Sequence, residues 1–157
     1  MEINFETQSP RETIALGKLV GERLRGGEII AYKGDLGAGK TTMTRGISLG
    51  MGLGDEVTSP TFALVNEYRK TDSKLSLIHF DMYRISGYED LETTGFFDYA
   101  DEDSVLCVEW SENIEEALEE SCIVIAIRHL GDDRRRISII TADGDDRFED
   151  IGDRYKR

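Results

Sequence analysis

Apolar and polar residues alternate across residues 2–7, placing Ile3 and Phe5 on one side, a pattern that predicts a short strand. Ser9-Pro10 opens a helix: Ser9 is a candidate N-cap, Pro10 suits the first turn, and Glu12 stands where a capping box needs it. Leu16, Leu19, Val20 and Leu24 share a helical face, and Gly26-Gly27 ends the run. Glu28 to Lys33 reads as a short central strand, Gly34 to Gly39 as a glycine-rich turn, and the stretch from Lys40 to Leu49 as a helix. Phe62 to Tyr68 and Leu75 to Phe80 flank the turn signal Lys70-Thr71-Asp72-Ser73 and predict an antiparallel hairpin. A helical stretch around Tyr88 to Thr93 precedes Gly95-Phe96-Phe97-Asp98-Tyr99. Val105 to Val108 is a buried-strand candidate, and Ser111, Glu115 and Leu118 begin a short acidic helix. Ile123 to Ile127 and Arg136 to Thr141 are strands, with Gly131-Asp132-Asp133 as a hairpin turn between them. The residues from Asp143 onward are charged and are expected to fray. This order predicts one α/β domain over residues 1–142, with a mixed, mostly parallel sheet flanked by helices, and a charged tail over 143–157.

Length and composition fit that picture and narrow the function. The chain has 157 residues, enough for one domain with a real core. No apolar run approaches the ~20 residues of a membrane span, and the start, Met-Glu-Ile-Asn-Phe-Glu, has neither the basic nor the apolar region of a signal peptide. A cytoplasmic protein with no membrane contact is therefore expected. Cys107 and Cys122 both fall in strand-like runs and read as buried thiols, since two lone cysteines make neither a disulfide framework nor a zinc site. The net charge of −13 argues against gripping nucleic acid through a broad basic face, because neutralising phosphates needs clustered Lys and Arg.

The strongest chemical signal is Gly34-Asp35-Leu36-Gly37-Ala38-Gly39-Lys40-Thr41, which matches the phosphate-loop pattern G-x-x-x-x-G-K-[ST]. A predicted strand precedes it and a helix follows, so backbone N–H groups and a helix N-terminus would face an anion. Lys40 would reach the β- and γ-phosphates, the Thr41 hydroxyl would ligate Mg²⁺, and Thr42 would donate toward the α-phosphate. The domain is thus expected to be a single P-loop NTPase domain. A guanine-selective Asn-Lys-x-Asp segment does not occur, which favours ATP by elimination.

Such a site needs a hard-oxygen metal ligand on a neighbouring strand. Asp81 follows Leu77-Ile78-His79-Phe80, and Glu109 follows Val105-Leu106-Cys107-Val108, so each acid ends a strand-like run. Strand carboxyl ends lie beside the nucleotide in such folds, and the pattern leaves open which acid touches the metal. Thr58-Ser59-Pro60-Thr61 reads either as an ordinary Ser-Pro turn or as a segment that senses the γ-phosphate. Trp110, the only tryptophan, divides between a core role and a pocket or partner-facing one. His79 reads as a sheet residue, having no second His or Cys at metal-like spacing. Arg134, Arg135 and Arg136 read as a solvated patch or as the source of one nucleotide or partner contact.

Taken together, these segments resemble the bacterial-type TsaE ATPases of tRNA threonylcarbamoyladenosine biosynthesis. The resemblance is carried by Gly34 to Thr42, Thr58-Ser59-Pro60-Thr61-Phe62, His79-Phe80-Asp81-Met82-Tyr83-Arg84 and Glu109-Trp110, with Thr13 to Gly17 and Gly131 to Ile137 also similar. It implies a small P-loop domain that binds ATP with Mg²⁺, hydrolyses it slowly alone, and works with the partner proteins TsaD and TsaB. Those partners transfer a threonylcarbamoyl group to adenosine 37 beside the tRNA anticodon, and ATP hydrolysis resets the complex between turnovers. The tRNA is then met only indirectly. Carried onto this chain, the resemblance puts Lys40 and Thr41 at the phosphates and metal, Glu109 at the metal, and Asp81 in support of the metal or the attacking water. It makes Thr58, Ser59 and Thr61 a switch-like loop and Trp110 a pocket residue, and it brings Ser9 and one arginine, Arg134, to the nucleotide. One departure is Ser111, where the family often has proline.

Two other readings compete. A small-molecule P-loop kinase would use Asp81 as base toward a substrate hydroxyl and the late arginines as a lid; it should show a substrate pocket and a longer arginine-bearing lid. A nucleotide-dependent interaction protein, in which turnover is incidental, would keep supporting the pathway after Lys40→Ala abolishes ATP binding.

Overall fold

A computed structural model describes residues 1–34, 38–54, 65–81, 95–109 and 122–155. In chain order these form β1 (Glu2–Thr7), α1 (Pro10–Gly21), β2 (Ile29–Lys33), α2 (Lys40–Gly50), β3 (Val65–Tyr68), β4 (Ser76–Asp81), α3 (Phe96–Tyr99), β5 (Ser104–Glu109), β6 (Ile123–Gly131), β7 (Arg134–Ile140) and α4 (Glu149–Tyr155). The strands make one seven-stranded sheet in the order β1-β7-β6-β2-β5-β4-β3. The central strands β6, β2, β5 and β4 run parallel, while β1, β7 and β3 pair antiparallel at the margins. The sheet is therefore mixed with a parallel centre, as the order of elements predicted.

Strand alternation sorts the core onto two faces. On one face Ile30, Tyr32, Val105, Cys107, Ile125, Ile137 and Ile139 pack with Leu16 and Val20 of α1 and Met43 and Ile47 of α2. On the other, Ile78, Phe80, Leu106 and Val108 pack with Phe96 of α3. Burial on both faces explains why β5 reads as an unbroken apolar run before Glu109.

The two long helices touch backbone to backbone. A Cβ on Gly17 would lie 2.6 Å from the Met43 carbonyl oxygen, on Gly21 2.2 Å from that of Ile47, on Gly46 2.3 Å from that of Ile14, and on Gly50 2.1 Å from that of Lys18. Gly17 meets Gly46 and Gly21 meets Gly50, so α1 and α2 run parallel and their N-termini emerge at the same end. At that end Ser9 caps α1 as expected: its Oγ accepts from the Glu12 amide at 3.2 Å, and Glu12 accepts from the Gln8 amide at 2.5 Å.

Four expectations are corrected. Residues 144–152 do not fray: Phe148, in the turn before α4, and Ile151, within it, are fully buried, while Arg147 reaches Glu28 at 2.6 Å and Arg23 reaches Asp150 at 2.5 Å. Cys122 is half-buried and precedes β6 rather than lying within a strand; Cys107 is buried in β5 as read. Helix α1 stops at Gly21, and Leu24 is buried from the turn beyond it. The late hairpin is longer than its apolar runs, because β6 continues to Gly131 and β7 begins at Arg134, so the arginines lie in a strand. The helices expected at Tyr88 to Thr93 and from Ser111 lie outside the described residues. No helix among the described residues is long and apolar enough to cross a membrane.

Candidate functional site

Parallel register lines up the tips of three strands. Asp81 at the end of β4 stands opposite Glu109 at the end of β5, and Val108 stands opposite Ala31, which brings Glu109 level with the end of β2. Strand β2 runs straight into Gly34. Gly34 has φ +142, and a Cβ there would lie 2.3 Å from the Ile127 carbonyl oxygen of β6, so only glycine lets the chain leave the sheet at this point. Helix α2 then begins at Lys40 from Gly39, which has φ +111 and offers no side-chain cap. Gly39 itself offers the opening amides of α2 no side-chain acceptor, and the helix dipole favours an anion at this end. Lys40 is buried at this helix end, with Thr41 and Thr42 half-buried beside it. Asp35, Leu36 and Gly37, the middle of the glycine-rich turn, lie outside the described residues.

Beneath the helix start runs a chain of buried polar groups. The hydroxyls of Tyr32 and Thr44 are 2.7 Å apart, and Thr44 Oγ1 donates to the Lys40 carbonyl at 2.8 Å. Burial pushes the Tyr32 hydroxyl well above its ordinary pKa, helped by the neighbouring Glu109, and burial likewise pushes the Cys107 thiol up. Both therefore stay neutral, and the Tyr32–Thr44 hydroxyl contact holds α2 to the sheet.

The β6–β7 hairpin overhangs the loop. Arg135 Nε donates to the Ala38 carbonyl at 2.8 Å, and its Nη1 donates to the Asp132 carbonyl at 3.0 Å. Arg134, the arginine expected at the nucleotide, instead turns back to the Leu130 carbonyl at 3.1 Å and is exposed. The structure thus brings Arg135 to the glycine-rich loop. Alternation backward from the buried Ile139 and Ile137 would have found it, because Arg135 shares their face. Arg135 also lines a cavity of about 30 Å³ with Pro10, Thr13, Gly39, Thr42 and Asp133, where the N-termini of α1 and α2 converge. Ser9 stands at the edge of this region as a helix cap.

The acids are unequally buried. Glu109 is 8 % exposed, Asp81 half-buried. His79 Nε2 lies 2.7 Å from Glu109 Oε2, but at angles outside those of a hydrogen bond, so neither atom has a hydrogen-bond partner among the described residues. A buried carboxylate oxygen without a partner is costly in protein surroundings and suits a cation. Among the described residues no three His, Cys, Asp or Glu side chains gather into a metal cluster. Magnesium does not require one, since it commonly takes one or two carboxylates and fills its other positions with phosphate oxygens and water. Thr41, Glu109 and Asp81 fit that sparse donor set. Thr58, Ser59, Thr61 and Trp110, named as switch and pocket residues, lie outside the described residues.

A family model described as threonylcarbamoyl adenosine biosynthesis protein TsaE matches residues 7–137. The chain belongs to the TsaE family. It is 37 % identical over 155 residues to the tRNA threonylcarbamoyladenosine biosynthesis protein TsaE of Bacillus subtilis, covering 99 % of this chain and 90 % of that one. The TsaE protein of Haemophilus influenzae is 43 % identical over 112 residues, covering 71 % of this chain and 69 % of that one. The crystal structure of Bacillus subtilis YdiB superposes with a TM-score of 0.73 at 33 % identity, covering 99 % of this chain and 90 % of that chain. The matched span in this TsaE-family chain runs from the end of β1 into β7 and so contains Gly34, Lys40, Asp81, Glu109 and Arg135.

Proposed function

We propose that this chain is the Mg²⁺-dependent ATP-binding and ATP-hydrolysing component of tRNA threonylcarbamoyladenosine biosynthesis, resetting its partner transferase between turnovers. One observation carries the chemistry: an uncapped helix N-terminus after a glycine-rich turn, with Asp81 and Glu109 side by side at adjacent strand tips. Membership of the TsaE family supports the pathway, as do relatives named for it.

The opening amides of α2 and the Lys40 ammonium would bind the terminal phosphates, and Arg135 would hold the hairpin against the loop. Thr41 and Glu109 would hold the magnesium ion, with Asp81 beside them at the next strand tip. When bound, the ion would neutralise charge on the phosphates. The carboxylate of the pair not bound to metal would accept the proton of the attacking water, and the leaving ADP would keep the bridging oxygen as the bond to the γ-phosphorus breaks. Such chemistry needs mainly positioning and charge stabilisation, so slow turnover alone, faster with a partner that completes the site, is expected. A net charge of −13 favours reaching tRNA through partner proteins, for which TsaD and TsaB are proposed.

The test is reconstitution of the modification with TsaD and TsaB, counting rounds per transferase with and without this chain. Many rounds with it and few without it are expected, and Lys40→Ala should behave like omission. Equal rounds in all three cases, or a phosphorylated small molecule as the product of ATP consumption, would overturn the proposal.

A further inference from the structure

His79 is an unexpected residue for the middle of this sheet. It is fully buried in β4, and neither ring nitrogen has a hydrogen-bond partner among the described residues. An apolar side chain would fill the same place without two unmet polar atoms, so packing alone does not account for an imidazole there. Alternation places Leu77, His79 and Asp81 on one face of β4, with Val105, Cys107 and Glu109 on the same face of β5. His79 stands opposite Cys107, one step behind Glu109, and its Nε2 reaches diagonally to within 2.7 Å of Glu109 Oε2. The distance is that of a charge-assisted hydrogen bond and only the angle is wrong. Rotating a carboxylate about its last torsion is easy, so that alignment lies one soft motion away.

We propose that His79 is a positioning residue, whose Nε2–H holds Glu109 Oε2 so that the carboxylate faces a divalent cation beside the phosphate loop. The proposal rests on the reading of this site as a cation-assisted nucleotide site. His79 itself touches neither nucleotide nor cation. It removes the rotational freedom of the acid that does, and partners of this kind typically change metal affinity by roughly 10- to 100-fold.

The test separates the cation from the nucleotide. ADP binding is measured by calorimetry in EDTA, and Mn²⁺ binding to the ADP complex by electron paramagnetic resonance, for the parent, His79→Leu and His79→Gln. For His79→Leu we expect Mn²⁺ binding weakened by about 10- to 100-fold with ADP affinity in EDTA within twofold. His79→Gln, which keeps an N–H donor, should recover most of the loss. The imidazole can also be watched in the parent: adding Mg²⁺ to the ADP complex should move the His79 ¹⁵Nε2 resonance, separated from the one other histidine by His129→Gln. Unchanged Mn²⁺ affinity in His79→Leu, equal losses of ADP and Mn²⁺ binding, no recovery in His79→Gln, or an unmoved resonance would each overturn it. A parent that binds ADP in neither condition would instead sink the nucleotide-site reading, and this proposal with it.

Discussion

Gly46→Ala in α2 should destabilise the protein although helix propensity says the reverse. Replacing a helical glycine with alanine ordinarily gains about 1 kcal/mol. Here the new Cβ would lie 2.3 Å from the Ile14 carbonyl oxygen and 2.9 Å from the Gly17 Cα. Both obstacles are backbone, so no side-chain rotation relieves them. Reaching an ordinary contact of ~3.5 Å means parting α1 and α2 by about 1 Å along a backbone-to-backbone seam. Overpacking of this kind costs about 1–3 kcal/mol, and a rigid obstacle places it at the upper end. After the propensity gain a net loss of about 2 kcal/mol remains, which for a chain of this size lowers Tm by roughly 4–8 °C. Ser48 in the same helix gives the opposite case: its Oγ is buried with no partner among the described residues, so Ser48→Ala should hold or raise Tm. Circular-dichroism melts and urea titrations of the two variants beside the parent measure both effects. A Gly46→Ala protein as stable as the parent would refute the close-packed seam.

Arg135→Ala should weaken nucleotide binding by roughly tenfold, the size of one charge-assisted hydrogen bond, whereas Arg134→Ala should leave it within about twofold; calorimetric titration of both variants checks the assignment of the hairpin contact. In the native protein Cys122 should react with a thiol reagent slowly and Cys107 not at all, because burial raises both thiols and encloses the second; mass spectrometry after brief alkylation, with an unfolded control giving both, decides it. Arg147 tethers the C-terminal segment to Glu28 and is held in place by its local pairing with Asp145. Burial alone would raise the Asp145 carboxyl, but hydrogen bonds and charge from Arg147 outweigh it and hold the pKa below the ordinary value. A depressed carboxylate stabilises above its unfolded pKa of about 3.9 and loses that contribution as pH falls through the folded one. Arg147→Met should therefore lower the urea midpoint more at pH 7 than at pH 3, and an equal loss at both would exclude the pairing as the tether.

Locally encoded features were legible in the sequence. The Ser9 cap, the alternation of β1, the β3–β4 hairpin and the acids that end β4 and β5 each depend on neighbours a few residues away. Features that depend on partners across the chain were not. The spacing Gly17 to Gly21 is repeated by Gly46 to Gly50, a small-residue pattern visible in the letters, yet its meaning appears only once two helices lie parallel and touch. Phe148 and Ile151 were hidden by the charges around them, and only the fold shows both buried in the core. Choosing Arg135 among three arginines required carrying the alternation of Ile139 and Ile137 back beyond the apolar run. The closeness of His79 to Glu109 required knowing that β4 and β5 are parallel neighbours, which no local pattern states.

The site also reconciles two charge demands that conflict. Bringing α1 and α2 together in parallel points both helix dipoles to the same end, but the two ends are not equivalent. At α1 the Ser9 hydroxyl and the Glu12 carboxylate already engage backbone amides, so that end is closed by its own sequence. At α2 a glycine stands in the cap position with no side chain to offer, at an end whose dipole favours an anion. Asp81 and Glu109 end adjacent strands, and on the proposed reading their negative charge would repel the phosphates bound at α2. A chain carrying −13 overall offers little general positive field to offset this. On the proposed reading a cation between acids and phosphates would offset that repulsion, a reading supported by the buried Glu109 oxygen that has no hydrogen-bond partner among the described residues. Nucleotide affinity in this fold should thus depend on a divalent ion held by few protein ligands, with His79 fixing the orientation of the most buried one.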